Sequence, residues 1–160
     1  MKEITIASTL LVAEHIRELG ETDKMLLLRA KEAAKDAYAP YSNFKVGSAV
    51  LLENGHVFIG NNQENAAYPS TMCGERNAIF AAAANYPKVP IKSVAITVIS
   101  ANKGVDKPVP PCGACRQVIY ENECRHQNNI RIILQGDSGA IYLIKSVKDI
   151  LPIHFDASYL

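Results

Sequence analysis

The stretch Ile130-Arg131-Ile132-Ile133-Leu134-Gln135-Gly136-Asp137-Ser138-Gly139-Ala140-Ile141-Tyr142-Leu143-Ile144 dictates how this chain must end its sheet. Two apolar, β-branched runs, 130–134 and 140–144, read as strands. Only residues 135–139 join them. A parallel pair needs a crossover of about a dozen residues, so these two strands must form an antiparallel hairpin. Upstream, 113–123 reads as a helix and 91–99, rich in Val and Ile, as a buried strand. Residues 75–84, with alanines at 81–84, read as a second helix. Val46–Leu52 and His56–Gly60 flank Glu53-Asn54-Gly55, a hairpin signal. From Thr22 to Ala37, Leu26, Leu27, Ala30, Ala33, Ala34 and Ala37 recur at helical spacing, and Pro40 stops that helix. Downstream, Ser146 is placed to cap a short helix through Ile150, before Pro152. The order α-β-β-α-β-α-β-β-α predicts an α/β fold: a mixed five-stranded sheet with helices on both faces and an antiparallel last pair. Residues 1–20 give mixed signals. Ile4 and Ile6 alternate with polar residues as in a strand, while Val12–Leu19 suits a helix.

The chain has 160 residues, a length for one domain, 1–160, and 48% of them are apolar, enough for a sizeable core. Seventeen basic against 16 acidic side chains leave a net charge of +1, which offers no footprint for a long polyanion such as nucleic acid. No apolar run approaches the ~20 residues of a membrane span. The N-terminus has no secretion-signal pattern, so a cytoplasmic location is expected. Four cysteines in such a chain read first as metal ligands or catalytic groups.

Three of them fall in two segments, Cys73-Gly74-Glu75-Arg76 and Pro111-Cys112-Gly113-Ala114-Cys115-Arg116, each opening a predicted helix. Helix N-termini favour thiolate over thiol. Three thiolates suit Zn²⁺ and leave a fourth position for water, whose pKa falls to about 7 on the metal. Glu75, two residues from Cys73, is placed to handle protons without ligating. This is the donor pattern of zinc deaminases, two or three cysteines with a non-ligand glutamate. The competing reading is a structural zinc site or unrelated core cysteines. A structural site wants a fourth protein ligand. Cys124 lies nine residues beyond Cys115, about 13 Å along a helix, too far to share the metal. Cys124 is expected to be an inert core or partly buried thiol. His15, His56, His126 and His154 lie outside the motifs and receive no ligand role.

At these residues the sequence resembles the cytidine deaminase family in its small homotetrameric, zinc-dependent form. The resemblance spans roughly residues 22–155. It rests on Tyr38–Gly47, on Asn62-Gln63-Glu64-Asn65-Ala66-Ala67-Tyr68, on the two cysteine segments, and on Leu151-Pro152 with Phe155. It implies a three-layer α/β/α architecture, one Zn²⁺ per subunit on Cys73, Cys112 and Cys115, and Glu75 as the catalytic group. It also implies that Asn62 and Glu64 grip the ribose hydroxyls, and that Gly74 meets the base through its backbone. Phe44 would flank the pyrimidine, and Phe155 would close the pocket of another subunit in a homotetramer. Without the resemblance, Phe44 and Phe155 read as core aromatics, and Asn62 and Glu64 as a solvated strand end. Arg76 matches a family arginine that donates to a ligand sulfur. Arg116 is the second candidate, and a surface or interface arginine is the plain alternative. Residues 1–20 extend beyond the family's usual start and have no assigned role.

The activity implied is hydrolytic deamination of cytidine and deoxycytidine to uridine and deoxyuridine, with release of ammonia, in pyrimidine salvage. The short 135–139 connection argues against the superfamily members that act on nucleic acids, which usually carry a helix there. Two alternatives remain: a deaminase of a modified cytosine nucleoside of the blasticidin S type, and a non-catalytic, zinc-stabilised binding protein.

Overall fold

A computed structural model describes residues 1–101 and 104–160. Strands are β1 (Leu10–Ala13), β2 (Phe44–Leu52), β3 (Val57–Asn61), β4 (Ile91–Ser100), β5 (Arg131–Gln135) and β6 (Ile141–Ile144). Helices are α1 (Glu21–Lys35), α2 (Gly74–Asn85) and α3 (Gly113–His126). The strands form one sheet in the order β1-β6-β5-β4-β2-β3. The two hairpins expected from sequence, β2–β3 and β5–β6, are both antiparallel. The parallel pair is β4–β5, whose crossover carries α3.

Strand periodicity sorts the core into two layers. Ala49, Leu51, Ala95 and Ile133 face α1, where Leu26, Leu27 and Ala30 are fully buried. Val50, Leu52, Val94, Ile96, Ile132 and Leu134 face the other way, onto Ala78, Ile79 and Ala82 of α2 and Ile119 of α3. β5 is buried on both faces, which is why its sequence is a continuous apolar run.

The sheet has six strands rather than five. The extra one, β1, lies in the amino-terminal segment and pairs antiparallel with β6. The helix considered for Val12–Leu19 does not form there. Leu10–Ala13 pairs instead, with Ala13 buried against the α1 layer, and a single 3-10 turn follows at Ile16–Glu18. No strand forms at Ile4–Ile6. At the other end, Ser146 does accept the cap hydrogen bond, from Lys148 N, but the element is a 3-10 turn, Val147–Asp149.

Two glycines set the helix-to-sheet spacing. A Cβ on Gly47 would lie 2.0 Å from the Ala30 carbonyl oxygen, so α1 rests directly on the β2 backbone. A Cβ on Gly60 would lie 2.4 Å from Gly74 O and 2.5 Å from Ala78 N, so the first turn of α2 rests on β3 in the same way. That contact places the N-terminus of α2 beside the ends of β2 and β3.

Candidate metal centre

Cys73 is the N-cap residue of α2 and Cys112 that of α3, so both helix starts converge on one point. Cys115 sits one turn into α3 and is fully buried, while Cys73 is half-buried and Cys112 exposed. The three sulfurs lie within 4.8 Å of one another, and Cys73 and Cys112 Sγ are 4.0 Å apart. Two thiolates placed tetrahedrally at about 2.3 Å from a zinc ion would stand about 3.8 Å apart. Donor type and spacing therefore both fit zinc, and among the described residues no fourth metal-ligating side chain joins the group. Crowded sulfurs do not ionise together on their own. Cys73 is held down at about 5, first by a hydrogen bond from Cys115 and then by Arg76, while Cys115 is pushed up by that same hydrogen bond and by burial.

Arg76, on the first turn of α2, places Nη2 3.7 Å from Cys73 Sγ and 3.5 Å from Thr71 O. Arg116 points elsewhere. Its Nε donates to Pro111 O and its Nη1 to Ile150 O, both at 2.8 Å, so it ties the cysteine loop to the carboxy-terminal segment. Of the two candidate arginines, Arg76 is the one at a cysteine sulfur of the cluster.

Glu75 is 4% exposed, and burial raises its carboxyl above the usual carboxylate range. With Phe44, Asn62, Thr71, Cys73 and Cys112 it lines a cavity of about 200 Å³, whose remaining wall is apolar, including Ile96, Val109 and Pro110. A buried carboxyl of raised proton affinity and two of the three sulfurs, those of Cys73 and Cys112, thus line one enclosed space, a site fit for proton transfer beside a metal.

Segment 62–64 is clamped between two loops. Glu64 N donates to Tyr38 O, and Gln63 exchanges backbone hydrogen bonds with Met72. Asn62 Oδ1 accepts from Val46 N at 2.8 Å and its Nδ2 donates to Phe44 O at 2.9 Å, which fixes the start of β2 and hence Phe44. One acceptor lone pair and one N–H of that amide remain available. Glu64 accepts from Tyr41 N and from the backbone and hydroxyl of Ser42, and these bonds, the Ser42 hydroxyl foremost, lower its carboxyl pKa. It lies in a neighbouring cavity of about 370 Å³ with Tyr41, Ser42, Tyr68 and Thr71. Thr71 borders both cavities, so the two adjoin there.

Two predicted residues stand apart. Gly74 is buried beneath Asn61, where an added Cβ would lie 3.2 Å from Asn61 Cα and from Val46 O, and it does not line the cavity. Phe155 is 57% exposed, stacks on Tyr159, and is held by Gln117 Nε2 donating to its carbonyl. It contributes nothing to the cavity of its own chain.

Sequence reading missed Thr71 and Asn77. Asn77 donates to Asn61 O at 2.8 Å and locks α2 to β3. Its spacing of four from Cys73, one helical turn, was the available signal. Cys124 is exposed, not buried: α3 turns that position outward while Ile119 and Tyr120 face the core.

The family model for the cytidine and deoxycytidylate deaminase zinc-binding region matches residues 20–128. A cytidine deaminase of Halalkalibacterium halodurans is 43% identical over 135 residues, covering 84% of this chain and 94% of that one. The crystal structure of cytidine deaminase from Burkholderia pseudomallei superposes with a TM-score of 0.73 at 37% identity, covering 86% of this chain and 100% of that one. That of Mycobacterium tuberculosis superposes with a TM-score of 0.64 at 30% identity, covering 82% and 95%. With three convergent cysteines, a buried glutamate beside them and a family match across most of its length, the chain belongs to the cytidine and deoxycytidylate deaminase family.

Proposed function

We propose that this protein is a zinc-dependent cytidine deaminase of pyrimidine salvage that converts cytidine and deoxycytidine to the uridine nucleosides and ammonia. The observation that carries this is the shared cavity, in which Cys73, Cys112, Glu75 and Phe44 face one apolar space. Cys73, Cys112 and Cys115 would hold a zinc ion, which when bound would lower the pKa of a water toward neutrality. Glu75 would accept one proton from the attacking water and deliver it to N3 of the pyrimidine, then take the second from the hydroxyl now on C4 and deliver it to the 4-amino group, which leaves as ammonia. Burial raises the proton affinity of its carboxyl, which suits a group that must hold a proton in transit. Phe44 flanks the base. Asn62 and Glu64 bind the ribose, using the remaining polar capacity of side chains already aligned by the backbone. Gly74 contributes through its backbone at the start of α2.

We also read residues 1–160 as one domain that works in the cytoplasm as a homotetramer with shared sites. Phe155, exposed and outside its own chain's cavity, supports a role in a neighbouring subunit. Phe80 of α2, exposed in a groove with Ala83, Val118, Glu121, Asn122 and Arg125, offers a mixed apolar and polar helix face for assembly. Among the described residues no helix is long and apolar enough to cross a membrane.

The test is ammonia release from cytidine by the zinc-loaded protein and by Glu75→Gln. The variant is expected to keep zinc and fold while turnover falls by ~10²–10⁴-fold. Near wild-type turnover in Glu75→Gln would remove Glu75 from the reaction. Light scattering is expected to give about four times 17.5 kDa, and a fully active monomer would refute the shared site.

A further inference from the structure

β1 is the outermost strand on its side of the sheet and pairs with β6 alone. Every second residue of an edge strand directs its N–H and C=O away from the sheet. Leu10, Leu11 and Val12 are exposed there. From Ile4 to Ala13 the sequence has no charge and no proline, the two common devices that protect such an edge. Residues 1–9 are exposed and belong to no element, although Ile4-Thr5-Ile6 carries the alternation of a strand. A strand-patterned segment without a partner thus runs directly into an edge without a partner.

We infer that residues 2–14 pair with the same residues of a second copy of this chain, antiparallel about a two-fold axis through Ser8, so that the sheets of two subunits join at β1. Antiparallel partners directly opposite share a face. With Ser8 opposite Ser8 of the partner subunit, Ile6 meets Leu10, Ile4 meets Val12 and Lys2 meets Glu14, all on the even-numbered face. Symmetry doubles each pair. The result is a run of four apolar pairs closed at both ends by opposite charges, with Glu3 against Ala13, Thr5 against Leu11 and Ala7 against Thr9 on the other face. Shifting the register by two residues sets Ile4 against Glu14 or Lys2 against Val12, so charge and apolarity together select one alignment. The occupant is therefore a second copy, because the segment is complementary to itself. The interface is isologous. It leaves the metal site untouched and gives a role to residues that lie before the family match at 20–128.

The register predicts a specific chemical outcome. Residues directly opposite in an antiparallel pair have Cα atoms about 4.5–5.5 Å apart, within disulfide range, whereas diagonal neighbours lie beyond about 7 Å. Full-length Ser8→Cys, mildly oxidised with glutathione disulfide, is expected to give a dimer on a non-reducing denaturing gel, with peptide mapping joining position 8 to position 8. Ala7→Cys and Thr9→Cys treated alike should not, since each faces the other and not itself. Wild type reports any linkage through the exposed Cys124. Hydrogen exchange on unmodified protein is expected to show slow amides at residues 3–6 as well as in β1. Ile4→Asp, which sets a carboxylate against Val12, should abolish both the cross-link and that protection while ammonia release stays unchanged. Fast exchange at 3–6, or slow exchange with no link at position 8, overturns the inference; the second result would assign the edge to another occupant or register.

Discussion

Gly60→Ala tests whether the β3–α2 contact positions the metal ligands. A Cβ at Gly60 would stand 2.4 Å from Gly74 O and 2.5 Å from Ala78 N, both backbone atoms of the first turns of α2. Ordinary contact begins at about 3.4 Å, so the start of α2 must retreat by about 1 Å, because backbone atoms have no rotamer by which to escape. Overpacking of this kind costs ~1–3 kcal/mol, or a melting point lower by about 3–10 °C for a chain of this size. Cys73, the N-cap of α2, moves with that turn, whereas Cys112 and Cys115 ride on α3. A 1 Å misplacement of reacting groups is worth up to ~10²-fold in rate. The expected variant folds, holds zinc less tightly in a chelator competition, and loses turnover out of proportion to its lost stability. Gly113→Ala is the control. Gly113 is the first residue of α3, and nothing lies within 4 Å of its added Cβ, so stability and turnover should stay at wild type. Wild-type zinc affinity and turnover in Gly60→Ala would show that α2 tolerates the displacement and that its seat on β3 does not set the site.

Two further substitutions separate chemistry from stability. Three thiolates leave a divalent site with net negative charge, and the Arg76 guanidinium 3.7 Å from Cys73 Sγ offsets it. Arg76→Ala should keep zinc stoichiometry, lower turnover by ~10–100-fold, and raise the pH at which turnover reaches its plateau; an unchanged pH–rate profile refutes the role. Glu123, 2% exposed, accepts from Ile130 N, Val147 N and the Ser146 hydroxyl. Glu123→Ala strands three buried donors and should cost roughly 3 kcal/mol or more, read by thermal melting, while the folded fraction keeps normal kcat; unchanged melting would deny the network its structural part.

Local signals in the sequence were faithful where the structure is local. The Asn54-Gly55 hairpin, the hairpin over 135–139 and the helix carrying Leu26, Ala30 and Ala33 depend on neighbours within a few residues, and all three form. The cysteine segments were legible for the same reason, since each ligand pattern sits within one helix start. What escaped depends on distant partners. Leu10–Ala13 becomes a strand only because β6 is there to receive it, and nothing in residues 10–19 records that partner. Glu123 looks like one more polar residue of α3, yet its three partners all lie beyond that helix. Cys124 carried no periodic cue strong enough to orient it, because α3 mixes apolar and polar residues around most of its circumference. The division of the site into two adjoining cavities was also invisible, since it follows from how loops 41–42 and 68–71 fold over the 62–64 segment.

The pairing of β1 with β6 sets a temporal order on the ribosome. Leu10 and Leu11 leave the exit tunnel long before their partners Ile144 and Leu143 are made. Throughout synthesis the amino-terminal strand waits, unpaired and apolar, while the layers packed on β2, β3 and β4 assemble behind it. Closing so long a loop carries a large entropic cost, repaid by a strand of only four residues. Within one subunit β1 is held by the fewest ladder bonds, so in an isolated subunit, with no second copy along its free edge, it should open ahead of the rest of the sheet.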